Sequence, residues 1–155
     1  MMPALTVKNI MIIDDDQDDC YLFCGAVSDI SETLSVKCAD NFSEAESLLE
    51  KQTPDLIFLD LNMPFKNGFE VLTELKRHEA LKTIPVIIYS SSSYSKDVQL
   101  AYEKGAALYL TKPSNFDELL EALKEILAKD WSKADEITAM HVSDGTYRSF
   151  SLKPA

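Results

Sequence analysis

Residues 9–13 (NIMII), 55–59 (DLIFL) and 85–89 (PVIIY) are short, unbroken runs of mostly apolar, branched side chains, and 106–110 (AALYL) is a weaker one. Continuous rather than alternating hydrophobicity marks strands covered on both faces, as in a parallel sheet. The segment 34–39 (LSVKCA) alternates instead and suits an edge strand. Between the runs the period becomes helical. Cys20, Phe23, Cys24 and Val27 follow the first strand, and Phe42, Ala45, Leu48 and Leu49 the second, with Ser43 and Glu46 spaced as a capping box. Gly68, Val71, Leu72 and Leu75 come next, then Tyr94, Val98, Ala101 and Tyr102 ending at Gly105, and finally Phe116, Leu119, Leu120, Leu123 and Leu127. Strict alternation with short connections requires right-handed crossovers. The expected fold is therefore α/β: a doubly wound, five-stranded parallel sheet with five helices, ending near residue 129.

The length of 155 residues fits one domain with a short appendage. Hydrophobic residues at 46% supply a real core, and the net charge of -11 opposes binding to nucleic acid or to an anionic membrane, which both require clustered Lys and Arg. The start, MMPALTVKN, lacks the pattern of a leader, and no run of about 18 apolar residues could span a bilayer. A cytoplasmic location is expected. Cys20, Cys24 and Cys38 show no CxxC spacing and read as small core thiols.

In sheets of this kind ligands bind beyond the carboxyl ends of the strands. The residues that close the strands are Asp14 and Asp15, then Asp60, Ser90 and Lys112, drawn from distant parts of the chain to one edge. Carboxylates in mutual contact repel, and a hard divalent cation removes the conflict. Mg²⁺, or Mn²⁺, suits the inventory because it takes one or two carboxylates and keeps room for phosphate oxygens.

With these residues in place, the chain resembles the receiver domain of two-component response regulators over residues 8–129. The resemblance rests on IIDDD at 12–16, LDLNMP at 59–64 with Gly68 beyond it, VIIYSSS at 86–92 and YLTKP at 109–113. It implies a (βα)5 flavodoxin-like sandwich over 1–129, with 130–155 as an extension packing back on the body. It also implies that Asp60 accepts a phosphoryl group from a sensor histidine kinase or phosphotransfer protein. Asp14, Asp15, Asp60 and the backbone carbonyl of Asn62 would hold the metal, Lys112 and Ser90 would contact phosphoryl oxygens, and Tyr109 would be the switch aromatic. The Lys112–Pro113 peptide would be cis. Signalling would pass to a downstream protein, or into a homodimer, through helix four, strand five and helix five, where Leu100 is a candidate contact off the core stripe. Ser90 stands where Thr is commoner, and Ser92 and Asn62 sit where side chains modulate attack of water on the acyl phosphate.

Other readings fit less well. Asp14, Asp16 and Asp18 imitate half of a calcium loop, but Asp19 and Gly25 stand where that loop needs Gly and Glu. A haloacid-dehalogenase-like phosphohydrolase would also use an Asp after strand one, yet Asp18 departs from its motif. A receiver-like docking module that is never phosphorylated would usually lose part of the acidic set. Asp16, with Asp19 three residues on, is spaced to cap the next helix, where Asp18 and Asp19 favour the helix dipole. His78 and His141 read as solvated. In the extension, Trp131, Tyr147 and Phe150 favour packing, and SDGTYRSF suggests a turn at Asp144 and Gly145 followed by a short strand.

Overall fold

The computed structural model describes residues 6–152; MMPAL and the last three residues, where the reading of an absent leader and the outer bounds of the two segments fall, lie outside the described residues. Five parallel strands, β1 (Asn9–Ile13), β2 (Ser35–Ala39), β3 (Leu56–Leu59), β4 (Val86–Ser90) and β5 (Leu108–Thr111), form one sheet in the order β2-β1-β3-β4-β5. Five helices alternate with them: α1 (Gln17–Ile30), α2 (Phe42–Lys51), α3 (Gly68–Arg77), α4 (Ser95–Glu103) and α5 (Phe116–Leu127). The doubly wound α/β class is thus the one expected. No helix among the described residues is long and apolar enough to cross a membrane.

The unbroken apolar runs have a direct cause. Successive strand side chains point to opposite faces, and both faces are covered. Ile10, Ile12, Phe58, Leu108 and Leu110 pack with Phe23 and Val27 of α1 and Leu119 and Leu123 of α5. Met11, Ile13, Ile57, Leu59 and Ile88 pack instead with Leu49 of α2, Leu72 and Leu75 of α3, and Val98 and Ala101 of α4. The β2 strand lies at the edge and is partly exposed, as its sequence suggests, but burial along it does not alternate: Ser35 and Cys38 are exposed and Ala39 is buried.

Caps fix the helix starts. The Asp16 side chain accepts from the Asp19 amide at 3.1 Å, as its spacing indicates. Asn67 and Glu70 form a full capping box on α3. On α2 the cap is Asn41, whose Oδ1 accepts from the Glu44 amide at 2.8 Å, not the expected Ser43 with Glu46. Because β2 ends at Ala39, the chain turns two residues earlier, and Asn is at least as good an N-cap as Ser. Tyr94 stands at the N-cap position of α4 without a side-chain capping bond, and it is exposed rather than part of the buried stripe.

Beyond α5 the chain adds a 3-10 turn (Trp131–Lys133), a sixth helix α6 (Ala134–Ala139) and a hairpin of β6 (Val142–Ser143) and β7 (Thr146–Tyr147). The turn falls at Asp144 and Gly145, both with left-handed φ of 53° and 74°, the geometry of a tight two-residue hairpin. Trp131, Ile137 and Phe150 are buried in the same cluster as α1 and α5. His141 is half-buried, its Nδ1 2.9 Å from the Ile137 carbonyl oxygen, whereas His78 is exposed. The cysteines depart from their reading as core thiols: Cys38 is exposed, and its Sγ lies 3.4 Å from Cys24 Sγ across the α1–β2 contact.

Candidate functional site

Register alone assembles the site. Ile13 pairs with Leu59 between β1 and β3, so Asp14 and Asp60 occupy the next row together. Ser90 pairs with Thr111 between β4 and β5, so Lys112 emerges one residue beyond. The Asp14 amide donates to Ala39 O at 3.0 Å and the Asp60 amide to Ile13 O at 2.9 Å, which fixes both backbones at the strand ends. Gly68 opens α3 against this edge, its amide donating to Leu61 O at 3.0 Å.

Asp14 and Asp60 are buried and Asp15 is exposed, and one carboxylate oxygen from each lies within 4.8 Å of the others. The Lys112 ammonium faces all but Asp15: its Nζ is 2.9 Å from Asp14 Oδ2, 2.7 Å from Asp19 Oδ2 and 3.8 Å from Asp60 Oδ1. Asp14 Oδ1 accepts from the Asp16 amide at 2.9 Å. Asp14 Oδ2 is fully buried, and its close neighbour among the described residues is the Lys112 ammonium 2.9 Å away. Three converging carboxylates, two of them buried and facing one ammonium that is already shared with Asp19, are a donor set that fits a hard divalent cation. Asn62 lies exposed in the loop after β3, and among the described residues its carbonyl takes no part in backbone hydrogen bonding.

The electrostatics agree. Burial, then the neighbouring Asp14 carboxylate, push the Asp60 carboxyl up to about 7, against the opposing pull of Lys112 and the Asn62 amide. Burial also raises Asp14, although Lys112 and the Asp16 amide oppose it. For Lys112 burial works toward a lower value, yet its hydrogen bond to Asp19 and its close pairing with the Asp14 carboxylate hold the ammonium above its ordinary range. Without a cation the three carboxylates are thus short of positive charge.

Ser90 is fully buried; its Oγ accepts from the Ser92 amide at 3.2 Å and its carbonyl from the Lys112 amide at 2.7 Å. Tyr109 is turned inward and fully buried, and its hydroxyl donates to the Ser92 carbonyl at 2.8 Å. The expected cis peptide at Lys112–Pro113 is not found: no peptide bond among the described residues is cis. The trans isomer is intrinsically the lower by about 0.5–1 kcal/mol, and in it the Lys112 amide and ammonium both reach their partners, so the lysine position does not call for the alternative.

Asp19 is the site residue that the sequence reading missed. Its spacing from Asp16 accounts for its amide, but its carboxylate is the shortest partner of Lys112. Side chains in the first turn of a helix lean back toward its N-terminus, here toward the strand ends, and that lean is the signal that could have found it. Phe65, in the loop after β3, is fully exposed with a left-handed φ of 68°, a strained conformation for a bulky residue.

The profile of the family described as Response regulator receiver domain matches residues 10–124. The response regulator Rcp1 of Synechocystis sp. is 44% identical over 130 residues, covering 77% of this chain and 86% of that one. Two solved structures are similar: the Mn(2+)-bound form of response regulator Rcp1, with TM-score 0.68 and 32% identity over 77% of this chain and 91% of that one, and the phosphorylated cyanobacterial phytochrome response regulator RcpA, with TM-score 0.71 and 33% identity over 78% and 91%. Two further curated relatives are longer, and the match spans only 46% and 49% of them.

Proposed function

The chain belongs to the response regulator receiver family of two-component signalling, and from that premise we propose that it accepts a phosphoryl group onto Asp60 from a sensor histidine kinase or phosphotransfer protein. Asp14, Asp15, Asp60 and the Asn62 carbonyl are the residues for Mg²⁺ or Mn²⁺. The observation that carries the reading is the convergence of three carboxylate oxygens within 4.8 Å, one of them on Asp60, with Lys112 Nζ 3.8 Å from that same carboxylate. The likeness to a Mn(2+)-bound and to a phosphorylated regulator supports it.

A divalent cation, when bound, supplies the charge that keeps the carboxylates ionised together and orients phosphoryl oxygens. The remaining chemistry belongs to the chain and is mostly positioning. An Asp60 carboxylate oxygen bonds to phosphorus as the P–N bond of a phosphohistidine breaks, and the electron pair of that bond leaves with the imidazole nitrogen. Lys112 meets one phosphoryl oxygen, and the Ser90 hydroxyl rotates to donate to another. Tyr21 and Leu22 on α1 and Phe65 after β3 are exposed apolar side chains on elements bordering the site, suited to docking the phosphodonor in the cytoplasm. The output is a change in protein contacts at α4, β5 and α5, with a target or a second copy.

Intact-mass spectrometry after incubation with Mg²⁺ and acetyl phosphate tests the proposal. One labile phosphoryl addition, absent in Asp60→Ala, is expected. No addition in the wild type under active controls favours a docking module. Release of phosphate from phosphomonoesters, abolished by Asp14→Ala yet kept in Asp60→Ala, favours a phosphohydrolase.

A further inference from the structure

The outer edge of β5 is the open edge of the sheet beside α4, and such an edge is a template for an extended chain. The hairpin and the residues after it lie along it. Gln99 of α4 clamps Tyr147 through both backbone groups, its Nε2 donating to Tyr147 O at 2.7 Å and its Oε1 accepting from the Tyr147 amide at 2.8 Å. The Tyr147 ring stacks on Tyr102, with centroids 4.6 Å apart and planes 9° from parallel. Tyr102 Oη donates to Arg148 O at 2.9 Å while accepting from the Tyr109 amide at 3.1 Å. The Phe150 amide then donates to Tyr109 O at 2.7 Å. Tyr147 packs against the α4 side of the sheet and Phe150 into the α1–α5 side, so the segment straddles the edge.

Both backbone groups of Tyr109 are therefore taken up by this segment, one directly and one through Tyr102. The same residue holds the Ser92 carbonyl with its hydroxyl, in the loop that leaves Ser90. We propose that the β5 edge and the adjoining face of α4 form a groove for an extended peptide, that residues 146–150 of the same chain fill it in the unphosphorylated protein, and that phosphoryl transfer to Asp60 loosens them. The second half rests on the phosphoacceptor reading. A phosphoryl group brings about -1.5 to -2 charge and three acceptor oxygens. Drawing Ser90 Oγ itself toward it stretches the bond from the Ser92 amide, already 3.2 Å long, and movement of that loop pulls on Tyr109, the anchor of the segment. The vacated groove suits a partner strand that offers an N–H to the Tyr109 carbonyl and an aromatic ring to Tyr102.

Hydrogen exchange of the 146–150 amides in the full chain, with acetyl phosphate and Mg²⁺ and with intact mass read in parallel, tests both halves. Exchange is expected to quicken at least about tenfold in the phosphorylated protein, as for a local opening, and tryptic cleavage after Arg148 to quicken with it, with neither change in Asp60→Ala. Phosphoryl addition without faster exchange overturns the release. No phosphoryl addition under active controls overturns the phosphoacceptor reading and the phosphoryl-driven release together. The groove is judged separately by Tyr102→Phe and Gln99→Ala, each checked for folding by circular dichroism. Loss of one or two such hydrogen bonds should speed exchange at 147–150 by about fivefold or more without phosphorylation, and unchanged exchange in both variants refutes the groove.

Discussion

Gly68 lies so close to Asp60 that a Cβ on it would stand 2.2 Å from the Asp60 carbonyl oxygen and 2.7 Å from Leu61 Cα. No side chain fits there without moving backbone at the proposed phosphoacceptor. Gly68→Ala is therefore expected to cost about 2–3 kcal/mol through overpacking and to slow phosphoryl uptake. Gly25, in the interior of α1, is the control: its added Cβ would meet only Phe116 Cε2 at 3.8 Å. Gly25→Ala should stabilise by about 0.5–1 kcal/mol through helix propensity. Urea unfolding of the two variants checks the opposite signs.

The raised Asp60 carboxyl predicts a pH dependence in protein stripped of metal with a chelator. Its folded value of about 7 lies above its ordinary value of 3.8, so the folded state binds the proton more tightly than the unfolded state. The stability this gives is complete below pH 4 and is lost as pH rises toward 7. Asp60→Asn removes the titrating group and relieves Asp14, so its unfolding curve should fall less over that window, leaving the variant more stable by about 1–2 kcal/mol at pH 7.5. Mg²⁺ at pH 7.5 should raise the wild type more than the variant. Parallel pH curves for the two proteins would remove the charge conflict from the account.

The five aspartates between residues 14 and 19 divide unequally. Asp15 contributes an oxygen to the carboxylate cluster, whereas Asp18 is an exposed residue in the first turn of α1. Asp15→Asn should weaken Mg²⁺ binding by about tenfold or more, since it removes a ligand charge. Asp18→Asn should change it by less than about twofold, because an exposed charge outside the cluster is screened. Titration calorimetry separates them, and equal losses would mean that the run acts as one diffuse acidic surface.

Why some of this was legible in the sequence and some was not follows from range. The strands at Asn9–Ile13 and Val86–Ser90 announce themselves because both faces are buried, and the strand-end carboxylates follow once the alternation is recognised. Lys112 and Asp19 are 93 positions apart, and their pairing depends on how closely the β5–α5 loop approaches α1, which no local pattern records. The edge of β5 was equally hidden. Its bonds to Phe150 and Tyr102 use Tyr109 backbone groups that every residue but proline carries, so the aromatic residues of the extension signalled packing without a destination. At Asn41 the failure was one of competition, where two good caps lie two residues apart and the end of β2 decides.

Trp131 ties the extension to the body. Its ring is buried in the cluster shared with α1 and α5, and its indole N–H donates to Ile126 O at 2.9 Å. From α6 the Thr138 hydroxyl reaches Ala107 O, just before β5, at 2.7 Å. The expectation is that residues 130–150 stabilise the sheet rather than trail from it. Trp131→Ala, which empties a large buried site and frees the Ile126 carbonyl from one donor, should cost about 3 kcal/mol. Met140→Ala, at a residue 69% exposed on the same extension, should change stability by less than about 0.5 kcal/mol. Trp131 is the only tryptophan, so the comparison is made by circular dichroism in urea. A loss at Trp131 as small as that at Met140 would mean that the extension rests on the body without contributing to its core.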